Sequence, residues 1–316
     1  PVHLVVVPHV QQNMASSDGV PRAVKFATAG VGGVFGWVVV HPFNTAAVRM
    51  NLAASQPGYQ RTGFLSFAAR TASERGVRSF YDGLGAGCLR QVFYATSRFG
   101  LFETFRDAIA ERRRVGPAER VAAGLASGAC AALLSCPAEV ALVRSSNDAT
   151  LPAAERRNYR GPADAALRIL RDEGVAAFWR GSAPFVQRAM LVGVTQVGTL
   201  DQAKQFYDER AGVPRGTYGN VFCASMTSGL VYSLVTMPFE TAKNLMAFQK
   251  PDARGALAYR ATGQTILAVA RSRGVLTLWN GFPPYYIRCG GHTVTMFIFV
   301  EWLRHAYLEA NKRDAD

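Results

Sequence analysis

The chain has 316 residues, of which 49% are hydrophobic, and a formal net charge of +13. Such a charge is usual for nucleic-acid-binding proteins, but here the basic residues are scattered through apolar segments instead of forming one tract. The five cysteines are an odd number, which argues against a disulfide framework, and none has zinc-ligand spacing with a histidine. With no nucleophile–base set in the sequence, we expect neither an enzyme nor a bound metal or cofactor.

The chain begins with a segment that differs in composition from the rest. Residues 1–21 form a predicted N-terminal extension, and residues 1–20 contain no lysine or arginine. Cleavable organelle-targeting peptides are rich in arginine, so we do not expect this segment to be one. A short polar tail, residues 311–316, is predicted at the other end of the chain.

Six long segments then follow, each with 20 or more mostly apolar residues, which is enough to cross a hydrocarbon core of ~30 Å. They cover residues 22–50, 84–110, 118–144, 182–208, 218–248 and 282–309. Shorter segments with apolar residues at helical spacing lie at residues 63–73, 162–172 and 262–271 and are typical of helices on a membrane surface. No segment has the alternating pattern of a strand, so the sequence predicts an all-α membrane protein. A soluble helical repeat is the alternative.

One pattern of residues occurs three times in the chain, at intervals of roughly one hundred residues. Each copy has an aromatic-x-glycine, an arginine seven residues later, an acid at twenty and a base at twenty-three. The glycines are Gly83, Gly181 and Gly281, and the arginines are Arg90, Arg188 and Arg288. The acids are Glu103, Asp201 and Glu301, and the bases are Arg106, Lys204 and Arg304. An internal repeat predicts equivalent structural units, here residues 22–114, 115–212 and 213–310 around one axis.

A proline lies near the end of the first, third and fifth long segments: Pro42, Pro137 and Pro238. A proline inside a helix removes a hydrogen bond and kinks the helix. Three kinks at one depth would draw the helix ends together and close a barrel on one side.

The arginines predict an anion site inside that barrel. Arg90, Tyr94 and Arg98 are spaced four residues apart and share one helix face, while the repeat places Arg188 and Arg288 at the height of Arg90. No acid lies within two turns of Arg90, Arg188 or Arg288 on their own helices. Unpaired guanidinium groups in a membrane interior need compensating anions, and arginine binds carboxylates bidentately.

These repeats resemble the mitochondrial carrier family, whose pattern is Pro-x-acid-x-x-base followed by acid-Gly-x-x-x-x-aromatic-base-Gly. Residues 173–181 and 238–243 match it in full. The resemblance implies six transmembrane helices in a pseudo-threefold barrel in the mitochondrial inner membrane, with three short amphipathic helices on the matrix side. It also implies a monomer that works by alternating access.

Within that family, several stretches are most similar to the branch that exchanges 2-oxoglutarate for malate. They are residues 137–144, 151–157, 187–190, 222–226, 284–288 and 292–294. The resemblance implies antiport of 2-oxoglutarate, malate or related dicarboxylates, which bind to Arg90, Tyr94, Arg98, Arg188 and Arg288. It implies cardiolipin at the matrix-side helix ends, near Gly83, Trp179, Gly181, Trp279 and Gly281.

The resemblance also assigns gates. The acids and bases at Glu103, Arg106, Asp201, Lys204, Glu301 and Arg304 would pair between repeats to close the cytosolic side. The matrix gate would consist of Glu139, Lys243 and Glu240, with Glu139–Lys243 the only complete ion pair, because Asn44, Ala47 and Leu142 replace charged residues of the pattern.

The loop motif departs from the pattern as well. Arg75 and Arg273 stand where an acid is expected, and Asp82 and Asn280 stand where a base is expected. These losses keep a second function open, that of a carrier-fold protein recruited as a structural subunit of a larger inner-membrane assembly with reduced or no transport. A carrier of another anion (phosphate with dicarboxylate, a tricarboxylate or an oxoacid) is a third alternative.

Overall fold

The computed structural model describes residues 22–54, 62–111, 116–151, 156–215, 217–251 and 256–313, and within these ranges the chain is helical, without strands. The six long helices are α1 (Arg22–Ala54), α3 (Leu84–Ala110), α4 (Pro117–Asn147), α6 (Ser182–Glu209), α7 (Tyr218–Phe248) and α9 (Phe282–Arg313). The three short helices are α2 (Phe64–Arg75), α5 (Pro162–Glu173) and α8 (Thr262–Arg273). Each predicted segment is therefore a helix, while the predicted N-terminal extension lies outside the described residues.

The long helices form a closed ring. Each packs against the next in chain order, and α9 packs back against α1. Three of them, over Gly30–Ala54, Glu119–Asn147 and Gly219–Phe248, are long and apolar enough to cross a membrane. Within the described residues, six helices are thus long enough for the expected six spans, and three of them are also apolar enough.

Burial in this ring differs from that in a water-soluble protein. Large apolar side chains such as Phe35, Leu134 and Val235 are exposed, whereas charged side chains in the middle of the long helices, such as Arg188 and Glu240, are buried. Large exposed apolar areas mark contact with a membrane or a partner, and ionisable groups in membrane helices face the protein interior. This distribution fits a protein surrounded by lipid.

We call the end of the ring that carries the three prolines and the three short helices the proline end. Pro42, Pro137 and Pro238 lie inside α1, α4 and α7, which stay helical through them. After each short helix comes a tight helical turn, over Val77–Tyr81, Val175–Trp179 and Val275–Trp279. A glycine in the left-handed region then starts the next long helix, with a φ of +85° at Gly281.

In the second repeat, a buried arginine anchors the short helix to the ring. Arg144 Nη1 and Nη2 lie 2.5 and 3.1 Å from the two carboxylate oxygens of Glu173, at the end of α5. Its Nε donates to the Ala247 carbonyl of α7 at 3.0 Å, and Arg180 also pairs with Glu173. Burial alone would raise the pKa of the Glu173 carboxyl, but hydrogen bonding and charge from Arg144 and Arg180 outweigh it and lower that pKa.

In the first repeat, Arg49 does the same with an acid at a different position. Its Nη2 lies 2.8 Å from Asp82 Oδ2 and donates to the Ser79 carbonyl at 2.9 Å, and its Nε donates to the Ser146 carbonyl of α4 at 3.0 Å. In the first repeat, the acid and the base of the loop motif have therefore exchanged positions: the base is Arg75 and the acid is Asp82. The ion pair between the acid and the anchoring arginine is kept.

The third repeat lacks the arginine itself, since Leu245 stands at the position of Arg49 and Arg144. Without this guanidinium, the acid that the motif expects at position 273 would have no ion-pair partner, and Arg273 stands there instead. Asn280 instead donates to the Met50 carbonyl of α1 at 2.6 Å. The departures from the loop motif therefore follow the presence or absence of one buried arginine.

This relationship can be tested by exchanging the charges of the first repeat. We expect Asp82→Arg to lower the free energy of unfolding by about 3–5 kcal/mol, because it leaves the buried Arg49 unpaired beside a new cation. Adding Arg75→Glu rebuilds the arrangement of the second repeat and should restore most of the loss. Thermal unfolding of the purified protein measures both effects. Arg78→Glu with Asp82→Arg has the same net charge at an exposed site, so equal rescue by both double variants would contradict the assignment.

Candidate anion-binding site

The three repeat arginines lie at one depth because their helices begin at equivalent points. Each of α3, α6 and α9 starts directly after a left-handed glycine, and the arginine is the seventh residue. At 1.5 Å per residue, this places it about 9 Å from the proline end. Arg90, Arg188 and Arg288 are all buried, with 4–6% of their surface exposed.

Two of these arginines are held by carboxylates from other helices. Arg188 Nε lies 2.7 Å from Glu240 Oε2 of α7, and Arg90 Nε lies 3.4 Å from Glu139 Oε2 of α4. Lys243 joins the two acids, since its Nζ lies 2.9 Å from Glu240 Oε1 and also pairs with Glu139. We call these five residues the charge ring.

The charge ring corrects the expectation that Glu139–Lys243 is the only complete pair at this end. Acids are indeed absent next to Arg90 and Arg188 on their own helices, but the neighbouring helices α4 and α7 supply them. Spacing along one helix does not show contacts of this kind. Asn44, Ala47 and Leu142, which stand where the pattern has charged residues, are buried as well. Leu142 packs among apolar side chains and forms no ion pair.

The other two candidate arginines have no carboxylate partner among the described residues. Arg98 Nη1 donates to the Tyr94 hydroxyl at 2.8 Å, while its Nη2 has no hydrogen-bond partner there. Arg288 lies 4.7 Å from the centre of the Tyr285 ring, and its Nε is likewise unpartnered in the described part of the chain. Together with the charge ring, these arginines make five buried cations against two carboxylates. The excess of three positive charges suits an anionic ligand.

Arg90 has neighbours that sequence reasoning missed. Its Nη2 donates to Gln91 Oε1 at 2.5 Å, and Gln91 Nε2 lies 3.0 Å from His292 Nε2 of α9. The indole of Trp37 covers the guanidinium, with 4.4 Å from Arg90 Cζ to the ring centre. The available signal was the residue after each repeat arginine, which is Gln91 in the first repeat but Ala189 and Cys289 in the others.

At the opposite end of the barrel, the candidate gate charges are not brought together. Arg106 pairs with its neighbour Asp107 at 2.8 Å. Among the side chains that the structure describes, no ion pair involves Glu103, Asp201 or Lys204. The side chains of Glu301 and Arg304 lie outside those described. Among the described side chains, ion pairs between repeats therefore lie at the proline end, and the candidate gate charges at the other end form none.

The residues expected to bind lipid all lie at the proline end. The glycines pack tightly on neighbouring long helices: a Cβ on Gly181 would lie 2.9 Å from the Lys243 carbonyl oxygen, and one on Gly281 would lie 2.7 Å from that of Ala47. Trp179 is exposed, and Trp279 Nε1 donates to the Leu234 carbonyl at 2.8 Å. For Gly83, the contact is with Ser146. A lipid role for these residues stays a prediction.

Comparison with known proteins agrees with this geometry. The family model described as "Mitochondrial carrier protein" matches three times, over residues 19–113, 113–211 and 215–311. The mitochondrial 2-oxoglutarate/malate carrier protein of Caenorhabditis elegans is 35% identical over 303 residues, covering 95% of this chain and 98% of the relative.

Two further relatives have similar names. The mitochondrial 2-oxoglutarate/malate carrier protein of Homo sapiens is 36% identical over 296 residues, covering 91% of this chain and 92% of the relative. A putative carrier of the same name from Neurospora crassa is 33% identical over 293 residues, covering 91% and 88%. Members of this family are transporters rather than enzymes. With three family repeats across a closed ring of six long helices, the chain belongs to the mitochondrial carrier family.

Proposed function

We propose that this protein exchanges 2-oxoglutarate for malate or related dicarboxylates across the mitochondrial inner membrane, as a monomer with six spanning helices. The observation that carries the proposal is the buried excess of positive charge at the repeat arginines, where Arg98 and Arg288 keep donors without partners. Forked guanidinium groups suit the planar carboxylates at the two ends of a short dicarboxylate. The names of the relatives point to the same substrates.

The charge ring supplies a mechanism for exchange. Glu139 and Glu240 present two carboxylates to Arg90 and Arg188, as a bound dicarboxylate would. Cargo that binds these arginines therefore competes with the acids that hold the proline end closed. Differential binding of this kind shifts a conformational equilibrium. Without cargo the ring re-forms, so opening is coupled to the presence of substrate, which is the requirement for antiport.

On this proposal, the proline end faces the matrix, and its closure by the charge ring corresponds to the state that is open to the cytosol. Glu139, Lys243 and Glu240 then act as the matrix gate, and the prolines bring α1, α4 and α7 together around it. In the opposite state, Glu103, Asp201 and Glu301 would pair with Arg106, Lys204 and Arg304 of neighbouring repeats. Cardiolipin would bind at the glycine-started helices, whose first N–H groups favour anions.

The contacts at the proline end also bear on the structural-subunit alternative. That alternative depended on the gate charges missing at Asn44, Ala47 and Leu142. The charge ring and the Arg49 and Arg144 anchors provide closure in their place, which supports a protein that still transports.

The substrate assignment predicts strict exchange. Liposomes that contain the purified protein and internal malate should take up labelled 2-oxoglutarate, while liposomes without an internal dicarboxylate should not. External malate should compete, and ATP should not. Folded protein that exchanges no dicarboxylate would contradict the assignment, and uptake inhibited by ATP but not by malate would point to another cargo.

The guanidinium geometry predicts that charge alone is insufficient at the repeat arginines. We expect Arg288→Lys to lower the exchange rate by at least about tenfold, since an ammonium group cannot form the two parallel hydrogen bonds of a fork. Initial rates of labelled uptake measure the effect, and Arg171→Lys on the exposed face of α5 is the matched control. Equal rates for the two variants would remove Arg288 from the site.

The competition mechanism predicts a leak when one gate acid is neutralised. Glu240→Gln removes the carboxylate shared by Arg188 and Lys243, so the proline end should open without cargo. Uptake into liposomes without internal substrate should rise several-fold above that of the unchanged protein. Asp172→Asn, an exposed acid of α5, controls for the change in net charge. If Glu240→Gln transports only by exchange, the charge ring does not couple opening to cargo.

A further inference from the structure

Arg90 differs from the two other repeat arginines in how its side chain is held. Its guanidinium is contacted on three sides: by Glu139 at Nε, by Gln91 at Nη2, and by the face of Trp37. Gln91 in turn contacts His292 of α9. All of these side chains are buried, with exposures from 2% to 6%. They connect helices α1, α3, α4 and α9 through one guanidinium.

The chemistry of the groups fixes the direction of each hydrogen bond. A guanidinium has donors only, so the atom of Gln91 that faces Arg90 must be the amide oxygen. The amide nitrogen of Gln91 therefore faces His292 Nε2 at 3.0 Å, and we assign it as the donor of this shorter of the two contacts of Nε2. This requires a neutral imidazole whose Nε2 carries no proton. The Gly33 carbonyl, 3.3 Å from the same nitrogen, is then a neighbour and not a hydrogen-bond partner of Nε2.

The second repeat shows what happens without this chain of hydrogen bonds. Ala189 follows Arg188 in place of the glutamine, and the Arg188 Nε lies 2.7 Å from its acid Glu240. In the first repeat, the corresponding distance from Arg90 Nε to Glu139 is 3.4 Å. Arg90, whose Nη2 donates to Gln91, therefore lies farther from its gate acid than Arg188 does.

We propose that Gln91 and His292 are positioning residues that keep the Arg90 guanidinium from closing fully onto Glu139, so that it stays available to a cargo carboxylate. This inference rests on the proposed function. Without the hydrogen bond from Nη2, Arg90 is free to rotate into a two-point pair with Glu139. That pair excludes cargo from Arg90, so the loss appears in the affinity for substrate before it appears in the maximal rate.

Kinetics of exchange in malate-loaded liposomes test the proposal. Gln91→Met keeps the length of the side chain and removes its hydrogen bonds, and His292→Phe keeps a ring and removes the acceptor. Gln91→Met should raise the apparent KM for 2-oxoglutarate about tenfold, as expected for a lost hydrogen bond to a charged group, and His292→Phe, which loses a bond between neutral groups, about threefold or more. Both should keep a maximal rate within about twofold. His292→Gln restores an acceptor near the Nε2 position and should return KM close to that of the unchanged protein.

The controls separate positioning from folding and from the proposed function. Ser127→Ala removes a buried hydroxyl whose hydrogen bond, among the described residues, is to the Gly124 carbonyl of its own helix, and it should leave KM unchanged. An unaltered KM in Gln91→Met, or equal losses in His292→Phe and His292→Gln, would overturn the proposal. A second readout is the rise in melting temperature that malate causes, which should shrink in Gln91→Met.

The same readout distinguishes the two proposals if the unchanged protein exchanges nothing. Stabilisation by malate that is lost in Gln91→Met would then support the positioning role while the antiport assignment fails. Absence of both exchange and stabilisation would overturn both.

Discussion

The burial of five cations against two carboxylates is the constraint on which the rest of the structure depends. Unpaired charges away from water are costly, so Arg90, Arg188 and Lys243 are placed where Glu139 and Glu240 reach them. Two carboxylates neutralise only part of this charge. The remainder, one charge within the charge ring and two at Arg98 and Arg288, suits an anionic ligand. On the proposed function, closure of the proline end and binding of cargo use the same charges, and one necessarily affects the other.

The repeats impose symmetry on where the arginines lie but not on what holds them. Arg188 is paired closely with Glu240, Arg90 is shared between Glu139 and Gln91, and Arg288 lies over an aromatic ring. A dicarboxylate with a keto or hydroxyl group on one carbon has two unequal ends and no threefold axis. The asymmetry of the side chains around the arginines therefore suits the proposed cargo better than three identical sites would.

The helices and the depth of the arginines were predictable from the sequence because both follow from distances along the chain. The spacing from glycine to arginine is the same in all three repeats, so each repeat supports the prediction made from the others. Their partners were not, because Glu139 and Glu240 meet Arg90 and Arg188 only when different helices close into a ring. The loop motif shows the same limit. In the sequence, Arg75 and Asp82 look like two separate losses from the motif. In the structure, Asp82 pairs with the buried Arg49, so the two departures are a single exchange of an acid and a base that keeps the ion pair.

The distribution of strong and weak contacts indicates what has to break when the repeats move apart. Arg49 and Arg144 form their ion pairs with Asp82 and Glu173 inside their own repeats, and each crosses to the next repeat with one hydrogen bond to a carbonyl. Such a bond contributes roughly 1.5–3 kcal/mol. In the charge ring, the pairs Arg90–Glu139, Arg188–Glu240 and Glu139–Lys243 all join different repeats. On the proposed function, opening would leave the ion pairs inside each repeat intact and break those of the charge ring, which is the place where a dicarboxylate could replace the carboxylates that are lost.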